Sequence, residues 1–86
     1  MEEKELYEIL GFVKISSYRT RTLKSLEKRV KIPSEIAKEQ NIETSQVSAA
    51  LRDLKKKDLV ICVNENARKG RLYKCTELGL DIIEKL

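Results

Sequence analysis

The stretch from Pro33 to Val60, PSEIAKEQNIETSQVSAALRDLKKKDLV, constrains this chain more than any other. Its apolar residues recur at helical spacing in two separate runs with a break between them. Pro33 suits the opening of a first short helix, because a first turn needs neither its missing N–H nor a free φ. Ile36 and Ala37 then face inward. Asn41 is placed to end that helix in the left-handed conformation, and Ile42 turns back to the core. Val47, Ala50, Leu51 and Leu54 form the buried stripe of a second helix over about residues 44–57. The same spacing leaves Ser45, Gln46, Ser48, Ala49, Arg52 and Lys56 on or beside its outer face. Short hydrogen-bonding side chains followed by cations are what a helix entering a DNA major groove needs. Ser34 and Thr44, each near the start of one helix, belong with the same surface. The pattern is a helix-turn-helix.

After Asp58 the β-branched run LVICV switches the chain from helix to strand. Asn64 to Gly70 is a polar turn and Arg71 to Thr76 a returning strand, so residues 59–76 form a hairpin, or wing, with Gly70 free to adopt positive φ. Its tip carries Arg68, Lys69 and Arg71. Alone, such a cluster is a solvated loop; beside a recognition helix it follows phosphates or a minor groove.

On the N-terminal side, Leu6, Ile9, Leu10 and Val13 make one stripe of a helix over about 3–14, flanked by Tyr7 and Phe12. Gly11 lies opposite, where it either tolerates exposure or admits another backbone. Ser16 or Ser17 caps a helix near 18–28 with Thr22, Leu23 and Leu26 inward. Arg19 falls close to that inner face, its stem packed and its head directed to a carboxylate or a phosphate, the carboxylate being favoured. Val30 and Ile32 alternate with Arg29 and Lys31, as in a short strand. Thr76 caps a last helix over 77–86, where Leu78, Ile82 and Leu86 share a face and Leu80 and Ile83 widen it. These arcs exceed what an 86-residue monomer covers, so a homodimer through Tyr7, Phe12, Leu80, Ile83 and Leu86 is expected.

Charge is unevenly spread. The net charge is +4, but residues 1–13 carry four Glu against one Lys, residues 14–31 seven Lys or Arg against Glu27, and residues 44–76 eight cations against three carboxylates. A basic centre between acidic ends points to a polyanion. Catalysis lacks its usual parts: the chain has no His, three Gly and no phosphate-binding loop, so no enzyme, cofactor or metal site is expected. Two cysteines without histidine exclude a familiar zinc site within one chain. No apolar run reaches the ~20 residues a membrane span needs, and the first residues lack a signal peptide's order, which leads to the expectation of a cytoplasmic protein.

The run SEIAKEQNIETSQVSAALRDLKKKDLV, the basic turn and the string GRLYKCTELG resemble the winged helix-turn-helix of archaeal and bacterial transcriptional regulators related to the MarR and ArsR groups. The resemblance spans roughly residues 17 to 80 and implies an archaeal source; a composition rich in Lys and Glu without Trp or His separately suits a thermophile. Ile32 departs from the usual capping Ser or Thr, and Asp58 from the usual Gly, at a cost of ~1 kcal/mol each. The fold implied is mainly α with a small β-hairpin wing, carrying extra N- and C-terminal helices, in one domain. The function implied is sequence-specific binding of double-stranded DNA, with Ser45, Gln46, Ser48 and Ala49 at the bases. Two other readings use the same scaffold: a protein-interaction module of the transcription or replication machinery, and a redox or ligand sensor. For the redox form, Cys62 and Cys75 lie on the two wing strands and are cross-strand neighbours if Val63 pairs with Lys74; in a reducing cytoplasm their favoured role is that of two small apolar fillers.

Overall fold

The computed structural model describes residues 1–86 and orders them as α1 (Glu3–Lys14), α2 (Ser17–Ser25), α3 (Pro33–Gln40), α4 (Thr44–Lys56), β1 (Val60–Cys62), β2 (Tyr73–Cys75) and α5 (Glu77–Lys85). The inward stripes of all five helices meet in one core. Val13, Leu23, Ile36, Val47, Leu54, Leu59, Val60 and Ile82 have no accessible surface there.

Local chemistry sets most boundaries. The Ser16 hydroxyl accepts from the Arg19 N–H at 3.2 Å and opens α2. Ile32 has no side-chain acceptor to cap α3, but the Glu35 carboxylate reaches back and accepts from the Ile32 N–H at 3.0 Å, the reciprocal half of a capping box. Asn41 ends α3 at φ 55° and ψ 50°, and the Ile42 N–H returns to the Ala37 carbonyl at 3.0 Å. Asp58 adopts φ 60° after α4. There it carries the left-handed strain of ~1 kcal/mol that a glycine avoids. The Thr76 hydroxyl accepts from the Gly79 N–H at 3.0 Å and donates to the Asp58 carbonyl at 2.7 Å. One side chain therefore caps α5 and ties it to the exit of α4.

Gly79 makes that seat possible. A Cβ there would lie 2.2 Å from the Leu59 carbonyl oxygen, so α5 crosses the chain at a distance only glycine permits. Gly11 differs: an added Cβ meets nothing within 4 Å, and within the protomer no backbone approaches it.

Three expectations change. The second helix closes at Ser25 rather than near residue 28, because Leu26 and Glu27 turn out through i to i−3 bonds to Leu23 and Lys24. The strand expected at Val30–Ile32 shrinks to one bridge, in which Lys31 and Tyr73 exchange N–H to carbonyl bonds of 3.1 and 2.9 Å. Lys31 is the buried member of that segment, its ammonium held by Glu39 at 2.7 Å. In the wing, Val60 faces Cys75, Ile61 faces Lys74 and Cys62 faces Tyr73. The pairing of Val63 with Lys74 does not occur, and the thiols are diagonal rather than opposite. The register is displaced by two residues, which preserves every side chain's face and so is invisible to alternation.

The apolar excess on the terminal helices also narrows. Ile83 is buried within the protomer, and Phe12 and Leu86 pack against the core. Tyr7 and Leu80 stay exposed, at 59% and 39%.

Candidate nucleic-acid interface

The amphipathic pattern of α4 turns Val47, Ala50, Leu51 and Leu54 inward. Thr44, Ser45, Gln46, Ser48, Arg52 and Lys56 are consequently exposed, with Ala49 half-buried among them. Ser34 is exposed in the first turn of α3. Glu43 precedes α4 without capping it by a side chain, so the first N–H groups of this helix stay available to an anion.

A groove of about 440 Å³ separates α4 from the wing, lined by Ser48, Leu51, Arg52, Lys55, Lys56, Arg71 and Tyr73. Four cations edge it, and no carboxylate lines it. Three of them, Arg52, Lys56 and Arg71, make no ion pair, and cations clustered in this way raise the local positive potential, which a phosphate backbone relieves. Lys55 and Tyr73 were not among the residues singled out in the sequence. Lys55 escaped notice because it lies between the buried Leu54 and the outward Lys56, while Tyr73 reads as an ordinary strand residue.

Lys55 pairs with Glu65 at the base of the wing tip. That hydrogen bond holds the Lys55 ammonium above, and the Glu65 carboxyl below, its usual range. The ion pair links recognition helix to wing, although solvent screening at this exposed position keeps its contribution small.

The wing is organised by Asn64. Its Oδ1 accepts from the Leu72 N–H at 2.7 Å and its Nδ2 donates to the Gly70 carbonyl at 3.1 Å, so one amide bridges both arms. Gly70 takes φ 66° where the chain reverses. Arg71 folds back to donate from Nε to the Ala67 carbonyl at 2.9 Å. Arg68 and Lys69 are exposed at the tip.

On the other flank of α4 a shallow hollow is lined by Tyr18, Arg19, Gln46, Ala49 and Asp53. Tyr18 also lines a second, polar hollow with Ser17, Arg21, Asn41, Glu43 and Thr44. The outer face of α4 is therefore flanked by the wing on one side and by the start of α2 on the other. Arg19 takes the carboxylate alternative: it pairs with Asp53 at 3.2 Å.

The cysteines offer no chemistry to this surface. Both thiols are free and buried, and burial pushes the Cys75 thiol up to about 11. No group of His, Cys, Asp and Glu is arranged to hold a metal ion, and no helix is long and apolar enough to cross a membrane.

No protein-family model and no curated protein sequence matches the chain. Solved structures do. TubR from Bacillus thuringiensis serovar israelensis, bound to 24 bp of tubC, matches with a TM-score of 0.79 at 13% identity, over 93% of this chain and 89% of that one. MepR of S. aureus in its DNA complex matches with a TM-score of 0.72 at 23% identity, over 95% of this chain and 70% of that one. ZitR of Lactococcus lactis gives 0.72 at 21% identity over 81% of this chain and 49% of ZitR, so the present chain spans about half the length of that protein. At such identities the likeness establishes the fold, a winged helix-turn-helix.

Proposed function

We propose that this chain is a non-catalytic, sequence-specific DNA-binding regulator of MarR/ArsR-like type that acts as a homodimer. The observation that carries the proposal is the groove between α4 and the wing, edged by Arg52, Lys55, Lys56 and Arg71 without a lining carboxylate. A protein-binding face has no need of cations on both elements, whereas duplex DNA places phosphates along both. The presence of duplexes in the matched TubR and MepR structures supports the same reading. The recognition helix lies in the major groove, the wing on the backbone or minor groove, and a second copy joins through α1 and α5, where Tyr7 and Leu80 are exposed.

Specificity and affinity divide within this surface. The Gln46 amide is suited to bond adenine through N6 and N7, while Ser45 and Ser48 discriminate less and Ala49 leaves room for a thymine methyl. Arg68, Lys69 and Arg71 supply charge. Titration with a preferred duplex and a random one tests this. Gln46→Ala should cost ~1–3 kcal/mol per half-site on the preferred site and little on random DNA, while Arg68→Ala or Lys69→Ala should weaken both alike and lower the salt slope by ~0.9 per subunit, or ~1.8 for the dimer. Affinity independent of salt, or none for any duplex, refutes the proposal.

A further inference from the structure

Beyond its apolar stripe, α4 is fastened by a polar clamp built on Arg19 of α2. Arg19 Nη1 donates to the Phe12 carbonyl at 2.9 Å, in the last turn of α1, and Nη2 donates to Asp53 Oδ2 at 3.2 Å, on α4. The Phe12 carbonyl is open to this because the Ser16 N–H, four residues on, bonds to Val13 instead, at 3.2 Å. The guanidinium carbon stacks 3.9 Å from the Phe12 ring centroid, and the Lys57 ammonium approaches the same ring at 5.3 Å. One side chain thus joins three helices. Both partners of the ion pair are partly screened from water, their side chains being 22% and 33% accessible.

Asp53 is costly on a helix facing phosphates, since its charge repels them. It also stands seven residues after Gln46, two helical turns along the same side, and both line one hollow with Arg19. A helix that short is rigid, so whatever fixes Asp53 fixes Gln46. We propose that Arg19 is a positioning residue for sequence readout: its fork sets the rotation of α4 about its own axis, and with it the height at which Gln46 meets a base edge. This inference rests on the DNA-binding reading above. It depends on the planar fork, which lysine lacks, and not on charge alone.

The test compares affinities for a duplex selected from a random pool by the wild-type protein and for unselected duplex. Arg19→Lys should keep affinity for unselected duplex within about twofold, yet lower the ratio of selected to unselected binding about tenfold. Asp53→Ala should raise affinity for unselected duplex, through loss of a repelling charge, and lower the ratio by the same factor. The double variant should fall no further than either single one, because both act through one contact. Circular dichroism checks that each variant is folded at the assay temperature; if Asp53→Ala is not, Asp53→Asn replaces it. A ratio unchanged in Arg19→Lys, or a double variant whose loss is the product of the single losses, overturns the clamp while leaving DNA binding intact. A wild-type protein indifferent to duplex sequence overturns both readings together.

Discussion

Gly79→Ala and Gly11→Ala should change stability in opposite directions, although each adds one methyl group to a helix. At Gly79 the new Cβ lies 2.2 Å from the Leu59 carbonyl oxygen, and restoring ordinary contact at 3.4 Å requires α5 to retreat by roughly 1.2 Å. The obstacle is backbone, which has no rotamer to change. Retreat loosens the contacts of Ile82 and Ile83 and stretches the Thr76 N–H bond to Leu59, now 3.1 Å. A gap of that size forfeits more than a quarter of the dispersion attraction across it. Overpacking of ~1–3 kcal/mol and a weakened hydrogen bond of ~1 kcal/mol outweigh the gain of at most ~1 kcal/mol in helix propensity. The expected net loss is ~2 kcal/mol, a fall in melting temperature of roughly 8–16 °C for a chain this size. At Gly11 nothing lies within 4 Å of the added methyl. Only the propensity gain remains there, ~0.5–1 kcal/mol. Thermal melts followed at 222 nm decide the matter. A Gly79→Ala protein as stable as wild type refutes the close seating of α5, and a Gly11→Ala loss that grows with protein concentration would show a second copy's backbone seated against α1.

Three further outcomes are expected. The Glu35 carboxyl is held below its ordinary value of 4.5 by the Ile32 N–H and by Arg29, so its contribution is present above that value and lost as pH falls through the lowered one; Glu35→Gln should flatten the acid limb of a stability profile. The Cys75 thiol is raised from 9.0 to about 11, so its contribution is present below 9 and lost as pH rises toward 11; Cys75→Ala should flatten the alkaline limb, and oxidised and reduced samples should bind DNA equally. Asn64→Ala removes the amide that bridges Leu72 and Gly70. It should cost ~1–2 kcal/mol of stability and weaken binding to specific and random duplexes alike.

The sequence by itself determined most of the elements and the faces they present, the end of α2 and the segment at residues 30–32 excepted. A period of 3.6 residues separates inside from outside on α4 without reference to any other part of the chain. The stops are equally local: Asn41 and Asp58 turn at φ 55° and 60°, and Gly70 at 66°. Serine and threonine caps at Ser16 and Thr76 bond to amides three residues on. The expected outward residues of α4 follow from this periodicity, and all but Ala49 are exposed.

Tertiary structure decided whatever depends on two distant segments meeting. Alternation gives the faces of the wing strands but allows any register displaced by two, and the turn held by Asn64 selects the one that separates Cys62 from Cys75. Spacing brought Arg19 close to the inner face; only the packing of α1, α2 and α4 supplied the Phe12 carbonyl and completed the clamp with Asp53. The apolar arc of α5 looked unpartnered because the sequence does not show that Gly79 lets the helix drop onto Leu59, which brings Ile83 into the protomer core. Periodicity is a property of neighbours along the chain, whereas register and close approach are properties of neighbours in space.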